Sequence, residues 1–275
     1  MATPFELHTS PNPKPSDGLP PVIYKYRYWS DKWHKRTLTE AELHFASADE
    51  FNDPFDSKFH LRYDLIPDKE LLERLEKSAI GAYPNESHEF IKSRAQEAFA
   101  NMRDEDYLDD FHERKYIENN KFIGVLSLSE KSDNILMWSH YSDNHKGFVL
   151  GFDTNCLFDS VGGTIHALNY QEKYPEIIPG LGLRGDAAIR EIAEVYSTKS
   201  SLWSYEQEVR IFKANAAKKN LQYNLGCLRE IILGCKISQD DKESIMNEAK
   251  KFPNAKIYQA KMSKRSFAID VQQIA

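Results

Sequence analysis

The chain has 275 residues, 41% of them hydrophobic and 28% charged, with 36 basic against 42 acidic side chains and a net charge of -6. That length is ample for a substantial core in one large domain or two small ones, and the acidic balance argues against a general nucleic-acid binder, which would carry a basic surplus or stripe. RNA or DNA as a locally modified substrate stays open. The start, Met1-Ala-Thr-Pro-Phe-Glu6, has no basic region followed by a long apolar core, and no stretch of about 18 apolar residues occurs. A cytoplasmic protein without a membrane anchor is expected. Cys156, Cys227 and Cys235 are too few and too scattered for a disulfide framework or a cysteine-based zinc site, so a reducing compartment is the default. No His-x-x-x-His pair lies near a carboxylate on a helical pattern, and no metal site is predicted.

Residues 1–21 hold six of the twelve prolines, so they have little to bury and read as a flexible tail. A single α+β domain is expected over 22–275. Val22–Tyr28 and Glu42–Ser47 read as strands from their β-branched and aromatic content. The basic cluster from Lys32 to Arg36 reads as a solvated loop. Phe51-Asn-Asp-Pro-Phe-Asp56 is turn chemistry, because the Asx side chains cap local backbone and proline fixes φ. Leu71, Leu72, Leu75, then Phe90, Ile91, Ala95, Phe99, then Tyr107, Leu108, Phe111 follow helical spacing and predict an inserted helical layer over 67–120. The acidic stretch Asp104–Asp110 reads as its solvated face.

Strands are expected again at Phe122–Leu128, Gly147–Asp153 and Thr164–Tyr170, with a short helix over Asn134–Tyr141 carrying Trp138 and Tyr141 on one side. Lys146-Gly147 reads as a turn in which glycine supplies a positive φ. Asp186–Ser201 is helical in pattern and leads into Trp203-Ser-Tyr-Glu-Gln-Glu-Val-Arg-Ile-Phe212. As a strand, that run projects Glu206, Glu208 and Arg210 from one face with the carboxylates roughly 7 Å apart. Two readings fit it: a charged, solvated edge in which Arg210 neutralises Glu208, or paired acids for chemistry on a sugar. Leu228–Leu233 reads as a buried strand, Ser238 as the cap of a helix ending near Phe252, and Ala255–Tyr258 and Phe267–Val271 as closing strands. The sheet is expected to be mixed or mostly antiparallel.

Gly180-Leu-Gly182-Leu-Arg-Gly185 matches the dinucleotide fingerprint literally, but the proline-bracketed Tyr174–Pro179 before it is too short for the strand which that fold requires. A phosphate-cradling loop ending in Lys-Ser/Thr and a Gly-x-Ser-x-Gly elbow are both absent.

Tyr24-Lys-Tyr-Arg27, Phe51–Asp56, Leu126-Ser-Leu-Ser129, Leu136-Met-Trp-Ser-His-Tyr141 through Lys146-Gly-Phe148, Trp203–Arg210 and Ile231-Ile-Leu-Gly234 together resemble a bacterial family catalogued as domain of unknown function 2971. That family supplies no activity. A second resemblance does: Glu206-Gln-Glu208 is similar to the Glu-x-Glu element of ADP-ribosyltransferases, which also open with a strand bearing a basic or histidine residue. It implies NAD as co-substrate, cleavage at the nicotinamide-ribose bond through an oxocarbenium-like state, and transfer to an unknown macromolecular acceptor, as in a defence or toxin effector. On that resemblance Glu208 holds the ribose hydroxyl and favours positive charge, while Glu206 steers the acceptor. Arg27, with Lys25 in reserve, clamps the pyrophosphate, and Tyr26, Tyr141 or Trp138 stacks on a ring. His140 either touches ligand or caps a backbone carbonyl. The alternatives are a noncatalytic nucleotide- or protein-binding module, and a nuclease using Asp53, Asp56, Glu206 and Glu208 around magnesium.

Overall fold

The computed structural model describes residues 18–179 and 192–275. Most of the proline-rich tail, the Gly180–Gly185 motif and the first half of the pattern at 186–201 lie outside the described residues. Fourteen strands are described: β1 (Val22–Arg27), β2 (Glu42–Phe45), β3 (His60–Leu61), β4 (Ile123–Ser129), β5 (Phe148–Asp153), β6 (Thr164–Ala167), β7 (Asn169–Gln171), β8 (Glu176–Ile177), β9 (Thr198–Ser200), β10 (Glu208–Ala214), β11 (Lys219–Gln222), β12 (Leu228–Leu233), β13 (Lys256–Met262) and β14 (Ile269–Gln273). The labelled helices are α1 (Lys32–Thr39), α2 (Asp68–Ala82), α3 (His88–Asn101), α4 (Glu105–Phe122), α5 (Ile135–Tyr141) and α6 (Thr154–Val161). The fold is α+β. Eight strands form one mixed sheet in the order β14-β13-β12-β5-β1-β4-β10-β6, antiparallel throughout except for the parallel β12–β13 pair, which the helix Gln239–Ala249 connects.

The sheet is built around β5, whose Phe148, Val149, Leu150 and Phe152 are fully enclosed. A near-continuous apolar run of this kind is what a strand covered on both faces needs, and each such side chain contributes about 1.5–3 kcal/mol on burial. Ile23, Leu38, Leu126, Ile211 and Leu233 join Phe148, Leu150 and Phe152 in the main core. A second cluster on β1 and α5 packs Tyr26 edge-on against Trp138, with ring centroids 5.6 Å apart. The helical layer predicted over 67–120 is present as α2, α3 and α4 and has its own small core of Leu71, Leu75, Ala95 and Met102 with Tyr63 and Ile66. Asp104, from the acidic stretch, caps α4 by accepting the Tyr107 N–H at 2.8 Å. Glu105 and Asp106 then sit in the first turn, where the helix dipole favours them.

Several expectations are corrected. Lys32–Arg36 is not a loop but most of α1, started by Asp31, whose carboxylate accepts the N–H groups of Trp33 and His34. Thr164–Tyr170 splits into β6 and β7, which pair with different strands. Cys156 and Cys227 form a disulfide that ties α6 to the segment entering β12, so two of the three cysteines are paired across 71 residues of sequence. Gly147 does not have positive φ; Asp143, Asn144 and His145 take that role in its turn. Its hydrogen would be replaced in any other residue by a Cβ only 2.1 Å from the Arg27 carbonyl oxygen, so close approach of two backbones is what requires glycine there.

What positions the site is an uneven seam in the sheet. β1 pairs with β5 over its whole length, Val22 with Asp153 through Arg27 with Phe148. Against β4 it pairs only at Tyr24 and Ser129. Beyond that point β1 and β4 part, and β4 is met instead by the bridge between Ala46 and Val125. Among the described residues, no helix is long and apolar enough to cross a membrane.

Candidate functional site

The parting of β1 and β4 opens a cleft of about 890 Å³ whose lining includes Lys25, Arg27, Trp33, His34, Tyr141, Lys199, Glu206, Glu208 and Arg210. One end is acidic. Glu206 does not lie on the same strand as Glu208, as the alternation predicted: Ser201–Glu206 is a 3-10 helix, Gln207 turns the chain in the left-handed region at φ 42°, and β10 begins at Glu208. The turn nevertheless brings the two acids together. Lys199 Nζ donates to Glu206 Oε2 at 2.6 Å and to Glu208 Oε2 at 3.0 Å, and lies 3.6 Å from Asp56 Oδ2. The Arg210 guanidinium grips Asp56 through two bonds of 2.8 and 2.5 Å and Glu208 through two of 2.7 and 3.1 Å. It is also 5.2 Å from the Phe51 ring centroid.

All five charged residues are buried, so their mutual pairing is what makes the cluster tolerable. Burial works against the Glu208 charge, but Arg210 and Lys199 outweigh it and hold its carboxyl at about 2. Lys199 is shifted upward in turn: burial opposes its charge, and Glu208 with Glu206 overcomes that. Three carboxylates meet two cations, which leaves one excess negative charge at this end.

The Asn-Asp-Pro turn delivers two of these partners. Asp53 Oδ1 accepts the Phe55 N–H at 2.9 Å, and the closed turn presents Asp56 to Arg210 and Asn52 Nδ2 to Tyr141 Oη at 3.2 Å. Tyr141 donates to Glu206 Oε1 at 2.5 Å. Burial, then the hydrogen bond to Glu206 and its charge, pushes its phenol upward. Each Glu206 oxygen thus has one donor and a spare lone pair, whereas Glu208 Oε2 already takes Lys199 and Arg210. Glu206 keeps a free position on each oxygen, whereas Glu208 keeps one on Oε1 alone, beside the bond from Arg210 Nε.

The other end is cationic. Lys25 and Arg27, two apart, project from the same side of β1. Lys25 Nζ donates to the Ser127 carbonyl, and burial together with neighbouring Arg27 holds its amine well below the ordinary lysine range. Arg27 makes one bond of 3.3 Å to the Tyr26 carbonyl. Among the described residues its buried Nε has no hydrogen-bond partner and Arg27 forms no ion pair, while the Asp31 charge favours it from farther off. Burial lowers its pKa to about 10, which leaves it charged at neutral pH. His34 Nδ1 accepts the Tyr28 N–H at 3.4 Å. Burial and Arg27 hold the imidazole down to about 3, so the neutral ring carries its proton on Nε2.

A lysine held in this way destabilises the fold, and Lys25→Met is expected to raise stability by about 1 kcal/mol at neutral pH while weakening anion binding. The unfolded lysine binds a proton up to its ordinary pKa near 10.5 whereas the folded one releases it earlier, so wild-type stability rises with pH across that interval. The gap between variant and wild type should therefore narrow as pH approaches that value in urea titrations; a variant less stable than wild type would refute the assignment.

Residues 137–211 match the model of a family described as protein of unknown function (DUF2971). No curated protein and no solved structure matches the chain. The matched segment supplies Tyr141, Lys199, Glu206, Glu208 and Arg210, while Lys25, Arg27, Asn52 and Asp56 come from outside it, so the cleft is completed by the preceding strands and turn.

The structure separates the predicted site residues. Lys25, Arg27, Tyr26, Tyr141, Glu206 and Glu208 line the cleft. Trp138 does not: it is 0% exposed and its Nε1 donates to the Ser132 carbonyl at 2.8 Å. Tyr26 is 3% exposed, packed on Trp138 with its hydroxyl on the Lys131 carbonyl, so its ring cannot stack on a ligand. His140 is exposed outside the lining, with Nδ1 3.2 Å from Tyr205 Oη. Asp53 serves its turn, and the oxygens of Asp56, Glu206 and Glu208 that magnesium would need are held by Lys199 and Arg210. Among the described residues no group of three or more His, Cys, Asp or Glu has metal-binding geometry. Sequence reading did not find Lys199, since a lone lysine in Ser-Thr-Lys-Ser has no periodic signal, nor His34 and Trp33, which were hidden in the supposed basic loop.

Proposed function

We propose that the protein is an ADP-ribosyltransferase-like enzyme that cleaves NAD in the cleft and passes ADP-ribose to a macromolecular acceptor. The observation that carries this reading is the polarity of one cavity: a half-buried, charged Arg27 that makes no ion pair among the described residues and feels the Asp31 charge only from farther off at one end, and an excess carboxylate charge at the other. The first suits a pyrophosphate. The second suits a ribose developing positive charge. The C1′–nitrogen bond breaks with its electron pair going to the nicotinamide ring, which leaves neutral; the acceptor nucleophile then bonds to C1′ and gives its proton to a carboxylate. Glu206 takes that part, with Tyr141 and Lys199 fixing its two oxygens and Arg210 fixing Glu208 beside it.

A binding module without turnover is the second reading, favoured by the closed pairing of Glu208 with Arg210 and Lys199. Nicotinamide release from NAD, measured with and without cell lysate as a source of acceptor, separates the two. Glu206→Gln is expected to lower release by on the order of a hundredfold while keeping the unfolding midpoint near wild type. Binding of NAD with no release from wild type in either setting would refute the transferase reading. The cytoplasmic setting belongs to this proposal, in which NAD is the co-substrate; the Cys156–Cys227 disulfide weighs against a permanently reducing one.

A further inference from the structure

We infer that Trp33 is the platform on which the base of the bound nucleotide stacks, so that the ligand lies along the cleft with its base at α1 and its reacting sugar at Glu206. The direction follows from strand register. Glu208 faces Ser129 and Ser129 faces Tyr24, so the carboxylates sit level with the point where β1 and β4 still pair. Lys25 and Arg27 follow along β1, with Arg27 about 10 Å beyond Tyr24 at strand rise. The chain then turns at Asp31 into α1, which places Trp33 past the cation end.

Three features fit Trp33 to a base. It lines the cavity, yet 58% of it is exposed, unlike the enclosed Tyr26 and Trp138, so a planar ligand can reach the ring. Its backbone is fixed, because the Trp33 N–H is held at 2.7 Å by the Asp31 cap. Its side chain is steadied by Arg36, 5.6 Å from the ring centroid and itself anchored on Glu42 at 2.6 Å, while Lys32 at 5.0 Å has no ion pair among the described residues and is free to move aside. An indole facing solvent in the same cleft as Arg27, which makes no ion pair among the described residues, is suited to stacking a base whose phosphates Arg27 holds. The ligand class is therefore a nucleotide with a base on one side of its phosphates and a ribose on the other.

The identity of the sugar end rests on the transferase reading; the base subsite does not. Equilibrium binding of ADP-ribose and of nicotinamide mononucleotide to the full chain tests it, with wild type, Trp33→Ala and Trp33→Phe. Trp33→Ala is expected to weaken ADP-ribose binding by about tenfold, to leave nicotinamide mononucleotide binding unchanged, and to keep the unfolding midpoint, since the side chain is mostly outside the core. Trp33→Phe should restore most of the affinity. Equal losses for both ligands, no loss for ADP-ribose, or no binding of ADP-ribose to wild type would each overturn the subsite. Trp33-dependent binding without nicotinamide release would uphold the subsite and sink only the transferase reading.

Discussion

Arg210→Met is expected to cost about 3–5 kcal/mol of stability, the largest effect of any single substitution in the cleft. Arg210 is 1% exposed and joins Asp56 to Glu208 through four hydrogen bonds. Methionine fills much of the same volume, so the loss would not be a cavity effect. It would come from leaving three buried carboxylates with Lys199 as their one remaining cation. Arg210 is also the stronger of the two cations that hold Glu208 at about 2, so without it the Glu208 carboxyl should take up a proton at higher pH. The deficit should then be greatest at neutral pH and shrink as the solution is acidified and the acids neutralise. Urea unfolding at several pH values checks both statements; a loss below about 1 kcal/mol at neutral pH would show that the cluster is hydrated or rearranges, contrary to its burial.

Gly147→Ala is the second large effect, at about 3 kcal/mol with a matching loss of anion binding. The new methyl would meet the Arg27 carbonyl oxygen at 2.1 Å and Ser142 Cα at 3.1 Å. Both are backbone atoms, so no rotamer change relieves the clash, and the end of β1 must shift. That end carries Arg27, whose carbonyl is also fixed by Ser142 Oγ at 3.1 Å. Unfolding midpoint and ADP-ribose affinity should therefore fall together. Retained affinity in a destabilised variant would mean that Arg27 does not depend on this contact for its position.

Elements with strong periodicity or composition were legible in the sequence. β1, β5 and β12 are dense in β-branched or aromatic residues, and α2 to α4 repeat apolar residues at helical spacing. α1 was hidden because Lys32-Trp-His-Lys-Arg36 offers charge without an obvious apolar stripe, and only the Asp31 cap marks its start. The pairing of Glu206 with Glu208 was anticipated, but through the wrong geometry: alternation implies a strand, whereas a left-handed Gln207 joins a 3-10 turn to one. Of the partners that settle what those acids can do, Lys199 stands only 7 residues before Glu206 but carries no periodic signal, and Asp56 meets Arg210 across 154 residues, a contact no local pattern encodes. Trp138 illustrates the converse. An aromatic beside polar residues suggested a ligand contact, yet its indole N–H is satisfied by the Ser132 carbonyl and the ring completes a core.

The single point at which β1 and β4 pair has a mechanical meaning. Five strands from β14 to β1 lie on one side of it and three from β4 to β6 on the other. Each half is laced internally by multi-residue ladders, while across the seam the strands pair only at Tyr24 with Ser129, beside the Lys25 contact with the Ser127 carbonyl, and the main core packs over both halves. Deformation concentrates where cross-links are fewest. The groups that would grip opposite ends of a ligand are divided by that line, Arg27 on the five-strand half and Glu208 on the three-strand half. A molecule bridging them would act as the missing rung, stiffening the whole sheet by joining its two plates.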